Sequence, residues 1–224
     1  MFSFEAFWQI LTSKLPVFME GVSVTVQLAL YTAIFGSLVG VLVALMRLSR
    51  IHPLRWLSGV YIEFLRGTPL LVQVLIIYYG LPQMGIRLPR MTAGTVALVI
   101  NSAAYMAEIV RSGIQAIDAG QSEASRSLGM TSAQTMLYII LPQAIKVTLP
   151  AMGNEFVAII KESSILYAVG VYELTYQAYK LASVNYYYIE TLIVAALIYF
   201  ALTYAATSLL SLLERRMRRA DTSV

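Results

Sequence analysis

Asn154 and Glu155 stand side by side in an otherwise apolar run, nine residues beyond Lys146. Asn101, with Tyr105 one turn further on, lies in another such run, ten residues before Arg111. At helical rise these offsets are about 14 and 15 Å, so the carboxylate and the carboxamide fall at matching depth if both runs are helices crossing a bilayer. An ionised carboxylate there is costly unless it meets a cation. The chemistry on offer is reversible binding of a positively charged group, with Glu155 as its acceptor and Asn101, Tyr105 and Asn154 as neighbouring polar groups. The plainer alternative for Asn101 is an interhelical hydrogen bond. Glu63 with Arg66, and Glu108 with Arg111, have the i,i+3 spacing of intrahelical ion pairs.

Bond-making chemistry finds little support. The sequence has no cysteine and a single histidine, His52, in a basic, proline-containing stretch read as a solvated loop, so a zinc or haem site is not expected. None of Lys14, Lys146, Lys161 and Lys180 follows a glycine, as the lysine of a phosphate-binding loop must. No serine nucleophile elbow is present either. The expectation is a chain that is not an enzyme, with no cofactor and no metal of its own.

The elements that must hold these polar groups are set by composition. Of 224 residues, 58% are hydrophobic and 12% charged, and the mean hydropathy is +0.71. A soluble domain carries about a quarter charged residues. Five stretches are near the length that spans a bilayer: about 20–46, 57–81, 91–114, 137–160 and 188–213. The predicted class is all-α, a polytopic membrane protein of five transmembrane helices. Phe4, Phe7, Trp8, Leu11 and Leu15 recur at helical spacing and predict an amphipathic interfacial helix over 1–18. The membrane domain occupies 19–216, and 217–224 form a tail.

Basic residues sort to one side. Arg47, Arg50, Arg55, Arg66, Arg111, Arg126, Lys146, Arg215, Arg216, Arg218 and Arg219 flank one set of span ends, against Lys14, Arg87, Arg90, Lys161 and Lys180 on the other. The positive-inside rule then places the N-terminus outside and the C-terminus in the cytoplasm, with no nucleic acid implied by the net charge of +4. The aromatic run "NYYYIE" (185–190) suits an interfacial belt.

A polar stretch, "DAGQSEASRSLGMTSAQTMLYIILPQ" (118–143), falls on the cytoplasmic side. Asp118 with Gln121 has the spacing of a capping box, and Thr131 with Gln134 has it again. Gly129 sits where a helix ends in a left-handed residue. The grammar predicts a stub of about 10 residues, roughly 15 Å long, turning sharply into the fourth span.

Its residues Glu123, Ala124, Ser125, Gly129, Ile139, Leu141 and Pro142 resemble the EAA motif of ABC importer permeases, with serine at the third position for alanine. "FLRGTPLLVQ" (64–73), "AYMAEIVRSGI" (104–114) and "GNEFVAIIKESS" (153–164) resemble the polar amino acid uptake permeases. The resemblance implies a membrane-embedded importer subunit of type I fold in a bacterial inner membrane. It implies a coupling helix around 117–136 that docks on a separate cytoplasmic ATPase, where ATP is bound. It further implies a second permease copy or homologue, an extracytoplasmic solute-binding protein and an amino acid cargo. A cargo with a cationic side chain, such as arginine, lysine or histidine, suits Glu155, with Asn101 and Tyr105 holding the α-amino or α-carboxyl group. The competing expectation is a secondary transporter driven by an ion gradient, although no internal repeat of the kind common in such folds stands out.

Overall fold

A computed structural model describes residues 2–221. Its helices are α1 (Phe4–Ser13), α2 (Leu15–Leu48), α3 (His52–Gly67), α4 (Leu70–Gln83), α5 (Arg90–Gln115), α6 (Ala119–Ser127), α7 (Ser132–Val169), α8 (Leu174–Asn185) and α9 (Tyr188–Asp221). Among the described residues, α2, α5, α7 and α9 are each long and apolar enough to cross a membrane, and α3 with α4 forms a fifth, bent pair. The span expected over 57–81 is thus this pair. It is broken at Gly67-Thr68-Pro69, and its halves meet at 108°. Proline 69 disfavours helical geometry at Thr68, and Thr68 is extended (φ −118°, ψ 148°).

Two other prolines leave a gentler mark. The helix widens to a π turn over Ile76–Gly80 ahead of Pro82, and over Thr135–Ile140 ahead of Pro142. Proline lacks the N–H that would close the ladder, and its ring crowds the carbonyl four residues back. One extra residue in the turn relieves both problems.

Helix α2 packs along α5 through a stripe of small residues. Gly36 and Gly40 abut Ser102 and Met106, and a Cβ on Gly40 would stand 2.6 Å from that of Met106. With lipid outside as apolar as the core, close van der Waals approach of this kind drives helix association. The crossing of α5 and α7 is closer still, since a Cβ on Gly113 would lie 1.9 Å from Thr148 Cγ2. A core of Leu28, Val74, Ala97, Leu98, Leu166 and Val169 joins α2, α4, α5 and α7. Large apolar side chains such as Ile34, Leu38 and Leu42 are exposed, as expected of a surface meeting lipid or another membrane helix.

Helix α1 is shorter than the 1–18 expectation, because Leu15 already opens α2. Ala6 and Ile10 are its buried positions, while Phe4 and Trp8 stay exposed. The Ser3 N–H donates to Glu190 at 2.6 Å, fastening α1 to α9. His52 begins α3 rather than lying in a loop, and its Nδ1 is 3.0 Å from the Arg55 guanidinium. Residues 217–221 of the expected tail continue α9, and 222–224 lie outside the described residues. On α8, Glu173 is the N-cap, accepting from the N–H groups of Thr175 and Tyr176. It is fully buried and also accepts from the Tyr199 hydroxyl at 2.7 Å. Burial pushes its carboxyl up to about 7.

Candidate functional site

The polar groups at the centre of the molecule converge on α5. Ser102 Oγ donates to Glu155 Oε1 at 3.1 Å, across from α5 to α7. Its neighbour Asn101 reaches the other way, giving its side-chain N–H to Gln73 Oε1 at 2.9 Å. The Gln73 amide nitrogen in turn donates to the Leu65 carbonyl at 2.8 Å and to the Thr68 carbonyl and hydroxyl at 3.1 and 2.9 Å. A break in a membrane helix frees backbone acceptors that lipid cannot satisfy. Gln73 satisfies those of Leu65 and Thr68, the Thr68 hydroxyl satisfies that of Phe64, and Asn101 fixes Gln73. Asn101 is 4% exposed, so its side chain is committed to the break, and any contact with a ligand would require that clasp to open.

Glu155 is half-buried. A carboxylate offers about four acceptor sites, and the Ser102 hydroxyl is the hydrogen bond it receives among the described residues. The remaining sites are open to a cationic group. One turn along α5 from Asn101, Tyr105 carries the Arg66 guanidinium 5.4 Å from its ring centroid, a cation–π distance. The Glu63–Arg66 ion pair suggested by spacing is absent among the described residues, whereas Glu108–Arg111 is formed. Asn154, next to Glu155, is exposed and makes no side-chain hydrogen bond among the described residues. Three of the four residues singled out by sequence, Asn101, Tyr105 and Glu155, therefore belong to one polar layer. No hydrogen bond among the described residues ties Asn154 to that layer.

Ser102, Gln73 and Arg66 had no assigned place in that layer from sequence. The available signal was Gln73, a lone amide in an apolar half-span just after a Gly-Thr-Pro break. Ser102 carried none, since its partner lies 53 residues away.

The second candidate element is α6 and the turn after it. Asp118 caps the helix, accepting from the Gly120 N–H at 2.8 Å. The expected reciprocal box with Gln121 is not formed, because the carboxylate turns to the nearer N–H. The Thr131–Gln134 box is complete. Gly129 has φ +85°, its N–H donates to the Arg126 carbonyl, and the Met130 N–H donates to that of Ser125. These two bonds make a Schellman turn. Glu123 and Ala124 are exposed, and Leu128 is 84% exposed. Ser125 is the buried residue of α6, and its hydroxyl lies 3.1 Å from that of Thr135. The serine that replaces the motif's alanine thus adds a tie between α6 and α7. Leu141 and Pro142 sit where the π turn passes into the α-helical part of α7.

Comparison with known proteins settles the family. Residues 36–219 match the family described as the binding-protein-dependent transport system inner membrane component. The chain belongs to that family. Among its relatives in Bacillus subtilis (strain 168), it is 38% identical over 209 residues to the arginine transport system permease protein ArtQ, covering 93% of this chain and 95% of the relative. It is 43% identical over 212 residues to the probable glutamine ABC transporter permease protein GlnM, with 94% and 98% covered. The crystal structure of an amino acid ABC transporter with histidines superposes with a TM-score of 0.88 at 51% identity, over 91% of this chain and 95% of that one. The MetNI methionine transporter shares the fold, with a TM-score of 0.68 at 21% identity over 89% and 97%. The protein is thus an amino acid ABC importer permease of type I fold, a multi-pass inner-membrane component.

Proposed function

We propose that this permease works as a pair, with a second copy or a homologue, and passes a basic amino acid through the membrane under the drive of a separate ATPase. In this reading α6 lies in the cytoplasm, the N-terminus outside and the C-terminus inside, as the distribution of arginines implies. ATP is bound by the ATPase alone, and an extracytoplasmic binding protein delivers the cargo.

Two features support the coupling role. Helix α6 leaves Glu123, Ala124 and Leu128 open to a partner, while the Schellman turn and the Ser125–Thr135 contact fasten it to α7. A displacement of α6 is therefore carried into the helix that bears Glu155. Such a device transmits force only if its joint is stiff, and two backbone bonds, a complete capping box and the Ser125–Thr135 contact brace this one.

The single observation behind the cargo assignment is Glu155, a carboxylate within a membrane helix that receives one hydroxyl hydrogen bond and retains acceptor capacity. In low-dielectric surroundings its attraction for a cationic side chain is poorly screened. Tyr105 and Asn154 are the further candidates for the cargo's backbone groups. Asn101 contributes by holding the break at Leu65–Thr68. The test is uptake of labelled arginine by Glu155→Gln, which keeps the size and a hydrogen-bond acceptor but removes the charge. A fall of tenfold or more at unchanged protein abundance is expected, and uptake equal to the parent protein would remove Glu155 from the pathway.

A further inference from the structure

A second concentration of charge lies towards the α6 end of the molecule. Glu108 is six residues beyond Ser102 on α5, about 9 Å at helical rise. There Arg47, Gly59, Glu63, Arg66, Glu108 and Arg111 line a cavity of about 260 Å³ between α2, α3 and α5. Of its three guanidinium groups and two carboxylates, one ion pair forms, Glu108 with Arg111, and Arg111 also donates to Gln115. Arg47 lies across α3 and donates to the Arg55 carbonyl at 3.1 Å. Gly59 makes room for it, since a Cβ there would stand 2.7 Å from a guanidinium nitrogen. Arg66 rests on the Tyr105 ring. Among the described residues, Arg47, Arg66 and Glu63 form no ion pair, and Glu108, the carboxylate that shares the cavity with them, is taken by Arg111.

Opposite charges gathered in one place tend to pair, although exposed ones such as Glu63 and Arg66 gain less from it than the half-buried Arg47. Here two guanidinium groups and one carboxylate share a cavity without doing so. The missing complement is a carboxylate for the arginines and an ammonium for Glu63, on a molecule small enough for the space. An α-amino acid carries both. A phosphate fits less well, because Glu63 and Glu108 line the same walls and repel it.

We propose that this cavity is a second binding site for a free α-amino acid, with the carboxylate held by Arg47 and Arg66 and the ammonium by Glu63. Guanidinium–carboxylate pairing of this kind is geometrically specific as well as strong. Arg66 belongs to both levels, since it stacks on Tyr105 and lines the cavity. An amino acid leaving Glu155 towards α6 meets these groups next. The proposal rests on reading the chain as an amino acid permease, and deepens that reading by giving the cargo a separate station on the α6 side.

The test is equilibrium binding of labelled arginine to the permease–ATPase complex in phosphatidylcholine nanodiscs, in a Glu155→Gln background. Neutralising Glu155 beforehand makes the result independent of the first site, and failure of the importer reading would appear separately, as absent ATP-driven uptake. Saturable binding should remain, and adding Glu63→Gln or Arg47→Gln should weaken it at least tenfold. Arginine analogues lacking the carboxylate or bearing an acetylated α-amino group should bind at least tenfold more weakly to the unaltered cavity, a comparison that needs no further mutation. No residual binding, binding indifferent to both substitutions, or full binding of both analogues would each overturn the proposal. So would displacement of arginine by phosphatidylethanolamine in the nanodisc, since the cavity would then belong to a lipid headgroup.

Discussion

Substitution at Gly129 isolates the joint between α6 and α7. The residue has φ +85°, and nothing lies within 4 Å of a Cβ built there. Any loss on substitution therefore comes from the backbone and not from a clash. A side chain in the left-handed region costs about 1–2 kcal/mol, less for asparagine and more for a β-branched residue. That energy acts on one turn with two hydrogen bonds, so it shifts the turn's population by a factor of about 5–30 while the membrane core stays intact. Transport by Gly129→Asn, Gly129→Ala and Gly129→Val should fall in that order, with the alanine variant down about 5–30-fold and the valine variant close to inactive. The assay is ATP-driven uptake by proteoliposomes, alongside ATPase retention on the purified permease. Arginine binding should be unchanged throughout. Gly129→Val with parental uptake, or a ranking unrelated to left-handed propensity, would refute the reasoning.

Two further substitutions probe other parts of the fold. Gln73→Leu strips the donors from the Leu65 and Thr68 carbonyls and should cost about 1–3 kcal/mol, read as lower thermal stability in detergent. Adding Asn101→Leu should cost less than its single effect, because the two amides act as one clasp. Glu173 titrates above its ordinary value because it is buried, so the folded protein binds more protons than the unfolded one between about 4.5 and 7. Its contribution to stability is then full below that window and lost as pH rises through it. The thermal midpoint should be higher at acidic pH, and Glu173→Gln should flatten the difference.

The sequence was most legible where the determinants are local. Gly129 in the left-handed region and the Thr131–Gln134 box each depend on residues a few positions apart, and both are present as spacing predicts. Asp118 shows the limit of that logic. Its capping role was readable, but which N–H it accepts from depends on a loop conformation that spacing does not encode. The spans were legible from apolar length, whereas the 108° bend was not, because a proline announces a weak point without stating how far the halves turn. Glu63 and Arg66 have ion-pair spacing, yet Arg66 lies on Tyr105, a residue of another helix. Glu155 was recognisable by the cost of burying it. Its partner Ser102 was not, since only the packing of α5 on α7 brings them together. The serine at position 125 reads as a neutral exchange for alanine, and its contact with Thr135 emerges only when the turn is built.

The drive proposed for this permease is a separate ATPase acting through α6. The most direct test is arginine uptake by proteoliposomes holding the permease, its ATPase and its binding protein, with enclosed ATP or with a proton or sodium gradient instead. Uptake should require enclosed ATP and the ATPase, with none from either gradient. Uptake driven by a gradient in the absence of the ATPase would contradict the proposed drive.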